Sequence, residues 1–199
     1  TIVVPDAYPD FLQWLPGSDR IIRYDKHAAD KADEMLQKAD LIFCLDFNGT
    51  NRVDEMKYAL EQSPAHKIMI DHHLDPSMDT VLTVSHPQMS STSELVFRII
   101  WQLGGFEEMS RKCAVCIYCG MMTDTGGFTY NSNQPEIFFI VSQLLTKGID
   151  KDKIYRNVFN NFSPWAIRLR GYLMSQKLNI FNDLHAAYFT ISRRDMRDF

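Results

Sequence analysis

Cysteine is scarce in this sequence: four in 199 residues, at positions 44, 113, 116 and 119. Four thiols in apolar settings do not build a disulfide scaffold, so the expectation is a reducing cytoplasm and a core held by ordinary packing. Long hydrophobic runs are missing too. None approaches the ~18 apolar residues of a membrane-spanning helix, and no signal-like segment opens the chain. The reading therefore excludes a membrane partner. An initiating methionine is also absent. The first residues, Thr1-Ile2-Val3-Val4, already read as a buried strand, and the end at Phe199 is as abrupt. Both ends are expected to be cut.

Hydrophobic residues make up 45% of the chain, ordinary for a globular protein large enough to bury a core. The net charge of −4 is unevenly spread. Residues 1–150 hold 12 Lys or Arg against 21 Asp or Glu, and residues 151–199 hold 9 against 4. An acidic body suits cations, and a basic tail suits a phosphate-bearing ligand; a chance spread over solvated faces would look the same. A pI near 5.8 argues against a protein that grips long duplex DNA.

Along the chain, apolar runs at 1–4, 20–23, 41–46, 67–71 and 81–84 read as strands. Between them, 27–39 and 52–62 carry helical spacing. This alternation predicts an α/β fold, a Rossmann-like parallel sheet with helices on both faces. The run Leu41-Ile42-Phe43-Cys44-Leu45 is apolar at every position, as a strand covered on both faces requires. A helical extension follows. Its helices are expected from the Ser90-Ser91-Thr92-Ser93 caps to Leu103, then over 110–122, 135–147, 151–159 and 164–178. A strand at 185–192 reads as the start of a second, C-terminal lobe.

Two of these strands end in acid. Asp46 closes one, and Asp71-His72-His73 closes another. Ligands of open α/β sheets bind beyond the carboxyl ends of the strands, so these groups should share a crevice. A third segment, Thr123-Asp124-Thr125-Gly126-Gly127-Phe128, runs from a helix into a glycine turn. Each alone is more often a turn, a cap or a packed histidine. Their joint occurrence at element ends, with no basic neighbour in sequence, is what points to a divalent cation. Carboxylate and imidazole donors without cysteine suit Mn²⁺, Fe²⁺, Mg²⁺ or Zn²⁺, and argue against a structural zinc.

Four segments together resemble the DHH phosphoesterases. MIDHHLDP at 69–76 is similar to the motif that names the family. LIFCLDFN at 41–48 resembles its preceding strand, and GMMTDTGGFTY at 120–130 its later TDTGxF motif. SSTSELVFRII at 90–100 is similar to a helix start in the bacterial oligoribonuclease branch, whose members also remove the 3′-phosphate of pAp. The resemblance implies roles. Asp46 and Asp124 bridge two metal ions, Mn²⁺ or another divalent cation, and His72 ligates metal. His73 faces the substrate phosphate, and Asp71 supports an imidazole from behind. The implied substrate is a short oligonucleotide or nucleotide; cyclic dinucleotides, polyphosphate and pyrophosphate are alternatives within the superfamily. A homodimer is left open.

The sequence departs from the family twice. The family's first motif, a histidine with closely spaced aspartates, is absent and is expected upstream of Thr1, about one βαβ unit of roughly 30 residues away. The C-terminal glycine-rich substrate segment is absent as well. Residues 1–162 are read as the DHH domain, 163–183 as a linker helix and 184–199 as the beginning of the associated domain. Residues 1–199 alone are expected to be inactive and poorly stable. If the first motif is lost rather than upstream, a non-catalytic binding module is the reading from another class.

Other features carry less. Cys113, Cys116 and Cys119 lack the continuation of an iron–sulfur motif and read as small packing residues. Trp14, Trp101 and Trp165 read as packing, Arg168 and Arg170 as a solvated helix face. His27, His86 and His185 receive no role.

Overall fold

The computed structural model describes residues 1–25 and 27–199, which divide into two compact units, 1–158 and 159–199. In the first unit, β1 (Val3–Val4) pairs in parallel with β2 (Ile22–Arg23). Helix α1 (Ala29–Lys38) leads into β3 (Leu41–Leu45), α2 (Met56–Gln62), β4 (His66–Asp71) and β5 (Leu82–Ser85). Strands β3, β4 and β5 form one parallel sheet in that order, with Leu45 opposite Ile70 and Asp71 opposite Ser85. Parallel neighbours need crossover connections, and the helix between β3 and β4 is such a connection.

Side chains alternate across the sheet. Cys44 and Met69 point to the face where Leu36, Val53, Met56 and Leu60 of the α1 and α2 region close a buried cluster. Ile70 points the other way and is also buried, and helix α3 (Thr92–Gln102) packs along β4. Helices thus flank the sheet, but their cover of one face of β3 is incomplete. Leu41, Phe43 and Leu45 are 44%, 55% and 45% exposed there. This corrects the expectation that β3 is covered on both sides: among the described residues, the face that carries these three side chains is only partly covered.

The helical extension follows as α3, α4 (Arg111–Asp124), α5 (Pro135–Thr146) and α6 (Lys151–Phe159). Ser91 caps α3 by accepting the Glu94 N–H at 3.0 Å, and Ser110 caps α4 by accepting the Cys113 N–H. Helices α3 and α4 approach closely at Gly120, where a Cβ would stand 1.9 Å from Ser93 Oγ. That contact sets how α4 lies against α3, and hence where its last residue, Asp124, comes to rest. Trp101 packs against Phe97, Phe106 and Phe139 but remains 40% exposed, so its packing is at the surface rather than in the core.

In the second unit, α7 (Pro164–Tyr172) runs into a π turn at Leu173–Lys177. Strands β6 (Asn179–Phe181) and β7 (Ala186–Tyr188) then pair antiparallel, with Phe181 stacked on Tyr188 at 5.7 Å. The expected strand over 185–192 is shorter, beginning after His185, whose φ of 48° breaks the extended chain. Its partner β6 lies where only linker helix was expected. A short helix, α8 (Asp195–Asp198), ends the chain.

Candidate metal centre

Asp46 follows β3 directly. Its N–H still donates to Ile70 O at 3.1 Å, but its φ of 68° turns the chain out of the strand. Aspartate tolerates this left-handed conformation better than most residues, because its short polar side chain bonds locally. Here its carboxylate accepts from Thr92 Oγ1 at 2.7 Å, so the start of α3 fixes its direction.

At the end of β4, Asp71 is wholly buried. Its two oxygens accept from the His73 ring Nδ1 at 2.7 Å and from the His73 N–H at 3.2 Å. His72 lies beside it, with Nδ1 3.2 Å from Met89 O. A carbonyl only accepts, so Nδ1 of His72 is the donor, and in the neutral ring Nε2 carries the lone pair. That nitrogen is 3.7 Å from Asp46 Oδ1 and 3.7 Å from Asp124 Oδ2.

Asp124 is the last residue of α4. The turn behind it is held by Thr125, buried, whose hydroxyl donates to Met121 O and accepts the Phe128 N–H. Gly126 has φ of 55°, and a Cβ there would fall 2.2 Å from the Tyr130 ring. Position 126 therefore requires glycine, because the turn's left-handed backbone and the Tyr130 ring leave no room for a side chain. Burial pushes the Asp124 carboxyl above its ordinary range and nearby Asp46 adds to this, partly opposed by His72 and His73. Among the described residues, Nε2 of His72 is the one basic nitrogen within 4.0 Å of the Asp46 and Asp124 carboxylates.

All five residues singled out from sequence thus come together. Ligand atoms of Asp46, His72 and His73 lie within 4.8 Å of one another, and Asp124 joins through His72. The donor set fits a divalent cation. Carboxylate oxygens and imidazole nitrogens each bind at about 2.0–2.2 Å, which puts two donors on one ion roughly 3–4 Å apart. Sequence reasoning missed Thr92 and the Met89 carbonyl, which aim Asp46 and His72. The signal was the run of hydroxyls at 90–93, more than one helix cap uses. The three clustered cysteines lie along α4. Burial raises each thiol, that of Cys119 to about 11, so none is a ready thiolate.

The family model "DHH family, N-terminal domain" matches residues 3–121, more than half of the chain. The chain belongs to the DHH family. Asp124 falls three residues beyond that match. A solved exopolyphosphatase-related protein from Bacteroides fragilis is 50% identical with a TM-score of 0.97, over 100% of this chain and 58% of its own. The probable bifunctional oligoribonuclease and PAP phosphatase NrnA of Streptococcus mutans is 26% identical over 100% of this chain and 58% of its own length. The bifunctional oligoribonuclease and PAP phosphatase NrnA of Bacillus subtilis is 21% identical over 87% of this chain and 54% of its own. The chain thus spans little more than half the length of these relatives. Among the described residues, no helix is long and apolar enough to cross a membrane.

Proposed function

We propose that this chain is the core of a phosphoesterase that uses divalent cations to hydrolyse phosphodiester or phosphomonoester bonds of short oligonucleotides, or of nucleotides such as pAp. One observation carries the reading: two carboxylates, Asp46 and Asp124, each stand 3.7 Å from one imidazole nitrogen that is free to ligate. Their position beyond the carboxyl ends of parallel strands supports it, as does family membership.

In this reading Asp46, Asp124 and Nε2 of His72 would hold the cations, the two carboxylates shared between them as the family resemblance implies. Mn²⁺ is the ion the family resemblance implies; the mixed oxygen and imidazole donors also suit Fe²⁺ or Zn²⁺, and Mg²⁺ favours oxygen. When bound, such a cation pair acidifies water, polarises the phosphoryl oxygens and neutralises the leaving oxygen. The chain's own part is positioning. Asp71 holds His73 by Nδ1, which leaves Nε2 to reach a phosphate oxygen. Thr92 and Met89 hold Asp46 and His72 before any ligand arrives.

The test offers the full gene product Mn²⁺ with pAp, a trinucleotide, cyclic di-AMP, polyphosphate and pyrophosphate in parallel. Turnover of pAp and the trinucleotide ahead of the rest is the expected result. Hydrolysis confined to polyphosphate would make exopolyphosphatase the better reading, the alternative favoured by the name of the 50% identical protein. Failure with every substrate and every divalent cation would leave a binding module.

A further inference from the structure

We propose that Glu94 is a positioning residue for the cluster, acting through the segment 89–92; this rests on the metal-centre reading above. Glu94 is only 1% exposed, and both its oxygens are fully engaged. One accepts from Ser90 N–H at 2.9 Å and from Ser90 Oγ at 2.6 Å. The other accepts from Arg98 Nε at 2.9 Å and Nη2 at 2.7 Å. Its own N–H is held by Ser91 Oγ at 3.0 Å. Residues 90 and 91 are thus tied to Glu94 at three points.

The two residues flanking that tied pair are the ones that touch the centre. Met89 O receives Nδ1 of His72, and Thr92 Oγ1 donates to Asp46. One buried carboxylate therefore clamps the segment that aims a nitrogen donor and an oxygen donor at the same point. Ser91 and Glu94 stand at capping-box spacing, but the Glu94 carboxylate reaches past the cap to both the N–H and the hydroxyl of Ser90, so the hold extends one residue beyond what capping of α3 requires. Burying a charge is costly unless it is paired, and here Arg98 pairs with it in a two-point geometry. Such a pair specifies one conformation of the loop more than it stabilises the fold. An imidazole whose outer nitrogen is fixed presents a single tautomer to a cation, and loss of that kind of support costs about 10–100-fold in metal affinity.

The experiment compares E94A, E94Q, H72A and a distant core variant, L144A, in the full gene product. Leu144 is wholly buried in α5 and takes no part in the centre. Three quantities are read: melting temperature, Mn²⁺ affinity by calorimetry, and ¹⁵N shifts of the His72 ring in metal-free protein. The expected result for E94A is a loss of Mn²⁺ affinity of about 10–100-fold, with His72 changed from one tautomer to a mixture. E94Q, which keeps an acceptor for Ser90 but not the charge for Arg98, should show a smaller loss in the same direction. L144A should lower the melting temperature and leave affinity and tautomer as they are. Wild-type affinity and a single tautomer in E94A would overturn the proposal, as would an affinity loss matched by L144A. If E94A does not fold, E94Q decides on the same readouts. If H72A also binds Mn²⁺ normally, the metal-centre reading itself has failed.

Discussion

Two carboxylates, the half-buried Asp124 in the first unit and the buried Asp195 in the second, meet opposite fates. Asp195 accepts from the Ser192 hydroxyl and N–H, both at 2.7 Å, from Tyr172 at 3.1 Å and from Lys177 at 3.2 Å. The Ser192 hydroxyl, with these other donors, holds its carboxyl well below the ordinary range. Asp124 is pushed the other way by burial and by Asp46. Where the protein supplies every donor, the charge is spent within the fold and ties down the end of the chain. Where acids gather around one imidazole with no lysine or arginine in reach among the described residues, the charge goes uncompensated, which is what the proposed cation would meet.

The sharpest way to break this contrast is to remove the open charges. D46A and D124A should each abolish hydrolysis and lower bound metal, while D195N leaves metal content as in the wild type. Metal analysis of the purified proteins decides it, and full occupancy with full activity in either alanine variant would undo the assignment. Next in size is the division between the histidines. H72A should weaken metal binding. H73A should keep the metal and lose turnover by about 10²–10⁴-fold, the usual worth of a positioned proton donor or acceptor. Equal loss of metal in both would merge their roles, which the 4.8 Å grouping of Asp46, His72 and His73 makes a real alternative. D71N is milder. It keeps an acceptor for His73 but not the charge, and about 10–100-fold in affinity or activity is expected.

The smallest effects concern stability, and they have opposite signs. Asp195 titrates below its unfolded value. Its contribution is therefore fully present above the unfolded carboxylate pKa of about 3.9 and is lost as pH falls through the depressed folded value. D195N should be less stable than wild type at neutral pH, and the gap should close in strong acid. Asp124 titrates above its unfolded value, so its ionisation opposes folding in metal-free protein, increasingly as pH rises through the raised value. Metal-free D124N should be slightly more stable than wild type at neutral pH, and Mn²⁺ should stabilise wild type but not the variant. Denaturant titrations across pH, with and without Mn²⁺, test both signs.

The order of strands and helices, the acids at the strand ends and the glycine turn after Asp124 were legible in the sequence. Each is written within a few residues, as periodicity, as a cap or as a side chain too large for a turn. So was the membership of the cluster, because element ends on one side of a parallel sheet must converge. The aim of its members was not. Thr92 meets Asp46 across 46 residues, and the Met89 carbonyl meets His72 across 17, each by a hydrogen bond that no local pattern encodes. The partly covered face of β3 was hidden for a related reason: an apolar strand reads the same whether or not something covers it. Strand β6 was invisible because three residues become a strand only by pairing, and the pairing runs from Phe181 with Ala186, five residues on, to Asn179 with Tyr188, nine residues on. Local chemistry determined which groups this protein brings to its centre. Packing of α3 against β4 and α4 decided where they point, because direction depends on contacts between segments far apart in the chain.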